Sequence, residues 1–522
     1  METHFQDKDI LTLLVGVCLV FGSIVLFLKE QIKFSILFLA LGGLILRFFM
    51  INLDPFIYTW DEQFHALVAK NMMTNPFKPM LYVSPVLPYD LNSWVSCKVW
   101  LHKGPVFLWL IVISFKIFGV NEIALRLPSI IMSTLMIPMI FRMGKLCINE
   151  KVGFFAAFLF ASANYQLEMC TGIMASDHND VAFMFFVCAS FWAWFEYQNS
   201  GNKIWIILIG LFSGLAVDTK WVMGFLVFFC WLLTIILSKE KRNKIVAYKG
   251  LIISILIALI TCASWYIYAL VRFPIEMSGT LKEYSEHFTS VIEDHSGGGY
   301  YHLDLLSQHY GWIIPFILLP SIYLFYKRLE NKKDLKIILV TWVLFVEIFY
   351  AIARTKMALF TIIIAPAIYI AVGALLYQIM EYLRLRIRRY TMILTFLFVA
   401  FIGFSNIGIN EIEGHHTDTG WMVSQRANYI HNSNIFKDIV KQLPQKDYVL
   451  FNCKDCNAIQ AMFYSGMTAY NNIPDNVTCD SLEKNGIKLA VFNDGKLPVY
   501  ILNDNKILKL NYDIWHDQAF IN

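Results

Sequence analysis

The chain has 522 residues, of which 57% are hydrophobic and 16% are charged, and its mean hydropathy is +0.54. A soluble domain carries about 25% charged residues, so this composition excludes an ordinary soluble protein and indicates an integral membrane protein. The net charge of +4 is too small to indicate a nucleic-acid partner.

Apolar runs long enough to cross a hydrocarbon core predict about twelve membrane-spanning helices. The run from Pro105 to Phe118 is shorter, so we predict an interfacial or re-entrant helix there. No cleavable signal peptide is expected, because the first apolar run follows an acidic start and ends without a small-residue cleavage site. The predicted spans lie near residues 10–28, 34–52, 122–142, 151–168, 180–197, 203–218, 221–238, 249–270, 311–327, 336–353, 357–378 and 390–409.

The short basic loops predict the orientation of these spans, because Lys and Arg concentrate on the cytoplasmic side. An even number of predicted spans separates each basic loop from the next, which places all of them on one face. They are the loops 29–33, 142–151, 239–249, 327–336 and 384–389. The remaining loops then face outward, and we expect a bacterial inner membrane with these loops in the periplasm.

Two domains are predicted from the change of composition near residue 410. Residues 1–410 are predicted to form a transmembrane domain whose outward loops include 53–121, with interfacial helices, and 272–310. Residues 411–522 turn polar and predict a small extracytoplasmic α/β domain.

Within this tail, short apolar runs at 448–451, 487–492 and 499–502 predict strands, and helical stretches are expected near 458–464 and 480–484. Three cysteines, Cys453, Cys456 and Cys479, either form a disulfide on the oxidising side of the membrane or remain free.

Most of the unusual polar residues fall in the outward loops. Charged groups so close to lipid are costly, and such residues usually line a cavity or a substrate path. The sequence therefore predicts one site on the outward face, which either an enzyme or a transporter would use.

The first outward loop contains an acidic pair, Asp61 and Glu62, at the start of an amphipathic helix. The helix dipole alone favours acidic residues at this position. The functional interpretation makes Asp61 a general base that takes a proton from an acceptor hydroxyl or amine.

The same loop ends with Lys103, Gly104 and Pro105, where Pro105 is placed to begin a helix. Lys103 either extends toward lipid headgroups or, together with the free amides of the helix start, holds a phosphate.

These pieces resemble the GT-C superfamily of membrane glycosyltransferases. They are the Asp61-Glu62 pair, the Lys103-Gly104-Pro105 stretch, which stands where Lys-Pro-Pro is more usual, and the stretch 124–129. The segments 214–220, 264–266 and 354–357 follow in matching order, so the resemblance covers about residues 50–380. Within the superfamily, the chain is most similar to the branch of protein O-mannosyltransferases and lipid A aminoarabinose transferases.

The resemblance implies a glycosyltransferase, of hexosyl or pentosyl type, with a polyprenyl-phosphate sugar donor and an outward-facing active site. It implies inversion at the sugar carbon by direct displacement. Lipid A, a protein and a cell-surface glycan all remain open as the acceptor.

Carried over residue by residue, the resemblance assigns catalysis to Asp61, with Glu62 beside it, and donor-phosphate binding to Lys103. It places Lys220, Arg354 and Lys356 near the leaving phosphate, where positive charge stabilises the developing dianion. The expected acceptor or sugar pocket includes Asp177, Asp180, Tyr300 and Tyr301. For Asp177 and Asp180 helix capping is an alternative, and for the two lysines extension toward headgroups is an alternative.

A zinc site is a further expectation, because His102 stands where the lipid A branch often has Glu. Its candidate partners are Glu286 and His287, with His295 as an alternative. Two imidazoles and a carboxylate are able to hold zinc, although loop histidines without a recognised spacing are usually not ligands.

A transporter or flippase for a lipid-linked or anionic substrate is the alternative function. Transporters commonly show internal repeats and sites near the bilayer midplane. We find no clear repeat, and the charges cluster at one face. The Trp-Trp-Asp-Tyr-Gly signature of the oligosaccharyltransferases, which belong to the same superfamily, is absent from the sequence.

Overall fold

The computed structural model of the chain describes residues 5–173, 177–220, 222–329, 332–386, 390–418, 420, 422–443 and 447–515. The first part of the chain is helical. Its helices are, in order, α1 (Asp7–Leu28), α2 (Ile32–Leu53), α3 (Asp61–Met72), α4 (Pro105–Phe118), α5 (Glu122–Cys147), α6 (Glu150–Ser162), α7 (Asn164–Glu168), α8 (Asp177–Ser200), α9 (Ile204–Lys220), α10 (Leu226–Ile236), α11 (Ile245–Arg272), α12 (Pro274–Thr289), α13 (Tyr301–Asp304), α14 (Leu306–Tyr310), α15 (Ile314–Arg328), α16 (Lys333–Ile352), α17 (Ala365–Arg386) and α18 (Thr391–Ile407).

The predicted spans are all helical, and seven stretches within the described residues are long and apolar enough to cross a membrane. They are Asp7–Leu28, Ile32–Leu53, Glu122–Cys147, Ile245–Arg272, Lys333–Ile352, Ala358–Leu385 and Met392–His416. The other predicted spans are shorter or less apolar. One reason is that extended backbone at Ala163 divides the predicted helix 151–168 into α6 and α7, and another is that a 3-10 turn at Val222–Phe225 opens α10.

Large apolar side chains stay exposed on the outer helices, for example Leu11 at 64%, Ile260 at 73% and Phe316 at 78%. Such contiguous apolar surface is disfavoured in water and suits a lipid environment. At the centre of the bundle α17 packs closely on α6, because Gly373 lets the two backbones approach. The chain is an integral membrane protein built on this helical core.

A buried ion pair joins the loop between α2 and α4 to the bundle. Arg126 in α5 donates from Nε to Oε1 of Glu62 at 2.8 Å and from Nη2 to Oε2 at 3.0 Å. Its remaining hydrogen bonds go to the carbonyl oxygens of Ile51, Asp54 and Phe56. Both side chains are fully buried, so the start of α3 is fastened to the start of α5.

The tail contains α19 (Ile409–His416), α20 (Val423–Gln442), β1 (Tyr448–Phe451), α21 (Asn457–Ser465), α22 (Asn476–Lys484), β2 (Lys488–Phe492), α23 (Val499–Asn503) and β3 (Leu508–Leu510). The strands form a parallel sheet in the order β1-β2-β3, and parallel neighbours require the helical crossovers found between them.

The predicted strand at 499–502 is wrong, since these residues form α23 and the third strand follows at β3. A short apolar run does not by itself separate strand from helix. The predicted strands 448–451 and 487–492 correspond to β1 and β2. All ten cysteines, which lie in the described residues, are free, and Cys453, Cys456 and Cys479 are buried.

The tail rests directly on α3. Lys70 Nζ donates to the carbonyl oxygens of Phe463 at 2.5 Å and Met462 at 3.3 Å. Gln460 Nε2 donates to the carbonyl oxygen of Ile57 at 2.7 Å. Helix α21 of the tail therefore holds the segment that leads into α3 as well as α3 itself.

Removing Arg126 is expected to destabilise the protein strongly, because Glu62 would remain buried without its ion-pair partner. Such a loss costs about 3–5 kcal/mol. Arg126→Ala should therefore unfold at a markedly lower temperature than the wild type in detergent. The matched control is Arg142→Ala, whose ion pair with Glu196 is partly exposed and should contribute about 1 kcal/mol or less. Equal unfolding midpoints for the two variants would contradict this assignment.

Candidate active site

A cavity of about 330 Å³ lies where the loops predicted to face outward meet the ends of the helices. Seven residues predicted from the sequence line it: Asp61, His102, Lys103, Lys220, His287, His295 and Tyr301. The walls also include Trp60, Trp94, Tyr165, Glu283, Glu293 and Phe360. The structure thus gathers side chains from six separate segments into one mixed polar and aromatic cavity.

Asp61 is the first residue of α3 and is 5% exposed. The residue before it, Trp60, has φ 72° and ψ −128°, a backbone conformation that side-chain-bearing residues rarely adopt. This turn lets Glu62 point into the core toward Arg126 while Asp61 faces the cavity. Strained backbone of this kind is often found at functional sites.

Lys103 lies beside Asp61, with 3.6 Å between its Nζ and the Oδ2 of Asp61. This is an ion-pair contact longer than a hydrogen bond. The Nζ also lies 5.0 Å from the ring centre of Trp94, at cation–π distance. Trp94 in turn stacks on Trp60, with 6.3 Å between ring centres and 11° between planes. Aromatic rings therefore fix the position of the ammonium group.

The position of Lys103 depends on Gly104. A Cβ added to Gly104 would lie 1.8 Å from the carbonyl oxygen of Asp218. The start of α4 is therefore in direct contact with the backbone of α9 near its end, where Lys220 is the last residue. This contact explains physically why Gly stands here in place of the more usual Pro, and it brings Lys103 and Lys220 to the same cavity.

Lys220 is paired with Asp180. The distance from Lys220 Nζ to Asp180 Oδ1 is 2.6 Å, and both side chains are buried. Lys220 lines the cavity and Asp180 lies behind it. Asp180 is thus placed to orient and balance the ammonium of Lys220. The side chain of Asp177 lies outside the described residues.

The carboxylate next to His102 belongs to Glu283, with 2.8 Å between His102 Nδ1 and Glu283 Oε2. Glu283 and His287 are four residues apart on α12 and therefore share a face. Glu286 lies off this face, and its Oε1 is 3.6 Å from the exposed Lys282.

Burial and hydrogen bonding shift the pKa values of Glu283 and His287 in this part of the cavity. Burial raises the pKa of Glu283, but the hydrogen bond with His102 and the attraction of nearby basic groups, Lys103 among them, together outweigh it and leave that pKa below its usual value. Burial lowers the pKa of His287 to about 4, so its ring is neutral at pH 7. No group of three donor atoms at metal-ligand spacing within the described residues includes His102, so we assign no chemical step to a metal.

The remaining predicted residues lie away from the cavity wall. Glu62 is buried against Arg126 and also accepts a hydrogen bond from the amide of Tyr58 at 2.7 Å. Tyr300 is 66% exposed, and Arg354 is exposed.

Lys356 Nζ donates to the carbonyl oxygens of Tyr350, Ala351 and Ala353, which end α16. All three of its N–H donors are thereby used on the helix end.

The segment from Arg354 to Lys356 holds the loop 272–310 in place through its backbone. The amides of Arg354, Thr355 and Lys356 donate to the carbonyl oxygens of Phe288, His287 and His295. In this arrangement the loop already covers one side of the cavity.

Sequence reasoning missed Glu283 and Trp94. A signal for Glu283 was present, because it precedes His287 by four residues in a segment with helical periodicity. For Trp94 the loop around it carries no periodic pattern that indicates where its ring would lie.

Two comparisons of sequence place this chain among known proteins. A model of the dolichyl-phosphate-mannose-protein mannosyltransferase family matches residues 102–268, a stretch that includes Lys103, Asp180 and Lys220. An uncharacterized protein of Aquifex aeolicus (strain VF5) is 26% identical over 335 residues. That match covers 63% of this chain and 61% of the relative, so the chain spans less than two thirds of the relative's length.

Two solved structures share the fold. ArnT from Cupriavidus metallidurans, bound to undecaprenyl phosphate, aligns with a TM-score of 0.65 at 15% identity over 86% of this chain and 91% of that one. The archaeal oligosaccharyltransferase AglB from Archaeoglobus fulgidus, in complex with an inhibitory peptide and a dolichol-phosphate, aligns with a TM-score of 0.56 at 13% identity over 84% and 64%. Together with the family match, these structures confirm the superfamily resemblance and the fold class predicted from the sequence.

Gly104→Ala is expected to separate α4 from α9, since the added Cβ would overlap the carbonyl of Asp218. Overpacking of this kind costs roughly 1–3 kcal/mol. We expect a lower unfolding midpoint in detergent. Gly22→Ala is the matched control, because a Cβ there would lie an ordinary 3.6 Å from the ring of Phe38. A Gly104→Ala variant as stable as Gly22→Ala would mean that the two helices are not in this close contact.

Proposed function

We propose that this GT-C superfamily membrane protein transfers a sugar from a polyprenyl-phosphate carrier to an acceptor on the outer side of the membrane. The observation that carries the proposal is the pairing of Asp61 with Lys103 on the wall of one cavity, with Lys220 on the same wall. This places a carboxylate base and two phosphate-binding cations within one enclosed site.

The donor phosphate is bound by Lys103 and Lys220. Both ammonium groups are largely buried, at 18% and 6% side-chain exposure, and electrostatic attraction is stronger where water is excluded. The helix start at Pro105 adds backbone amides that favour an anion. Arg354 and Lys356, which point elsewhere in the structure, are not needed for this contact.

In the reaction, a hydroxyl or amine of the acceptor attacks the anomeric carbon of the sugar. The new bond to that carbon forms as its bond to the phosphate oxygen breaks, and the electron pair leaves with polyprenyl phosphate. The acceptor's proton passes to Asp61, which acts as the general base. Lys103 and Lys220 stabilise the charge that develops on the leaving phosphate. Attack opposite the leaving group inverts the configuration of the carbon.

Glu62 has a positioning role in this proposal, because its ion pair with Arg126 fixes the turn that presents Asp61. The acceptor is a lipid such as lipid A, a protein or a cell-surface glycan. Access would be from the periplasmic face of a bacterial inner membrane, which follows from the predicted orientation of the basic loops.

Transfer should be lost when either Asp61 or Lys103 is changed. Membranes carrying the wild type, Asp61→Asn or Lys103→Ala would be assayed with a panel of radiolabelled polyprenyl-phosphate sugars. Loss of the base alone is expected to lower the rate about 10²–10⁴-fold. Lys116→Ala is the control, since Lys116 lies exposed near the other end of α4, and this variant should retain wild-type transfer.

Full activity in both variants would contradict the assignment of the site. If no donor supports transfer and the wild type instead moves a lipid-linked substrate across the bilayer, the chain is a transporter or flippase. Equal insertion and folding of all variants, checked by their unfolding midpoints, makes the comparison valid.

A further inference from the structure

A second cluster of ionisable side chains lies outside the cavity, where the tail joins the helical bundle. It consists of Glu168 at the end of α7 with His415 and His416 at the end of α19. One ligand atom from each side chain lies within 4.8 Å of the other two. None of the three lines the cavity that holds Asp61, and the proposed transfer reaction does not use them.

His416 has the surroundings of a metal ligand. Its ring is fully buried, and 2.5 Å separates its Nδ1 from Oδ2 of Asp54. The other nitrogen, Nε2, is buried and has no hydrogen-bond partner among the described residues. Histidines that bind metals usually donate their second ring N–H to a carboxylate, which fixes the tautomer and leaves the other nitrogen for the metal.

Asp54 is itself held rigidly. Its Oδ2 accepts a hydrogen bond from Tyr58 Oη at 2.7 Å, and its Oδ1 accepts one from Arg426 Nε at 3.0 Å. The carboxylate therefore cannot turn away from His416 without breaking these contacts. The orientation of the His416 ring is fixed before any ion arrives.

His415 and Glu168 complete the set. His415 Nδ1 lies 2.8 Å from Oε1 of Glu168, whose side chain is 2% exposed. An ordinary histidine–carboxylate pair accounts for this contact but leaves the buried Nε2 of His416 without a partner. Buried polar atoms without a partner are rare in folded proteins, and a bound ion would supply one.

We propose that Glu168, His415 and His416 bind a zinc ion, and that Asp54 orients His416. Two imidazole nitrogens and one carboxylate oxygen form a common ligand set for Zn²⁺, with a fourth position for water. Bonds of about 2.0–2.2 Å require the ligand atoms to lie roughly 3.4 Å apart. The ligand atoms already lie within 4.8 Å of one another, so small rotations of the Glu168 and His415 side chains would bring them to this spacing. The ion would join the tail to α7 and would stabilise that contact.

The test measures zinc bound to the full-length protein, purified in detergent through a tag without histidine. After removal of metal with a chelator and dialysis against Zn²⁺, mass spectrometry of the element should give about one zinc per chain. The double variant His415→Gln/His416→Gln should lose this zinc. Asp54→Asn should retain folding but bind zinc about 10–100-fold more weakly. Replacing Zn²⁺ with Co²⁺ should give the visible absorption of a tetrahedral site in the wild type only.

Two control variants locate the ion. His431→Gln, at an exposed histidine, should keep its zinc, and so should His102→Gln in the cavity. Zinc binding should also raise the unfolding midpoint of the wild type and leave that of the double variant unchanged. Loss of zinc from His102→Gln with retention in the double variant would overturn the proposal, as would a wild type that binds no zinc after reconstitution.

Discussion

The ion pair between Arg126 and Glu62 is the contact on which the geometry of the candidate site depends. It lies fully out of water, where an unpaired charge would be strongly destabilising, and Arg126 uses its remaining donors on three backbone carbonyls. Because Glu62 directly follows Asp61, the direction of the Asp61 side chain is set by a residue deep in the bundle. A buried pair is not a strong source of stability, but here it defines the start of α3.

Helix α3 is held from two sides, by the membrane helices through Arg126 and by the tail through Lys70 and Gln460. The tail is therefore part of the support of the candidate site rather than a separate appendage. The proposed zinc ion would add a further connection between the helical bundle and the tail, from α7 to α19. All of these contacts lie near the helix ends that carry the candidate site.

Much of the fold was predictable because membrane insertion depends on local hydrophobicity, which a single sequence displays directly. The placement of Asp61, Lys103 and Lys220 at one cavity was predictable because each lies at or just before the end of a helix within a recognisable motif. Glu283 was missed in favour of Glu286, since the two differ only in which face of α12 they occupy. The role of Arg126 depends on contacts with residues more than sixty positions away, and no local pattern reports such contacts. The prediction of the third strand at 499–502 failed because four apolar residues fit a helix as well as a strand.

The two lysines on the cavity wall each have their own carboxylate, Asp61 for Lys103 and Asp180 for Lys220. The two pairs are therefore electrically neutral before a donor arrives. In the proposed reaction Asp61 becomes neutral when it accepts the proton, while the phosphate gains one negative charge. The total charge of the site would thus be the same before and after transfer, and Lys103 would exchange one counter-ion for another. The chemical step would therefore not require any further ion to enter or leave the site.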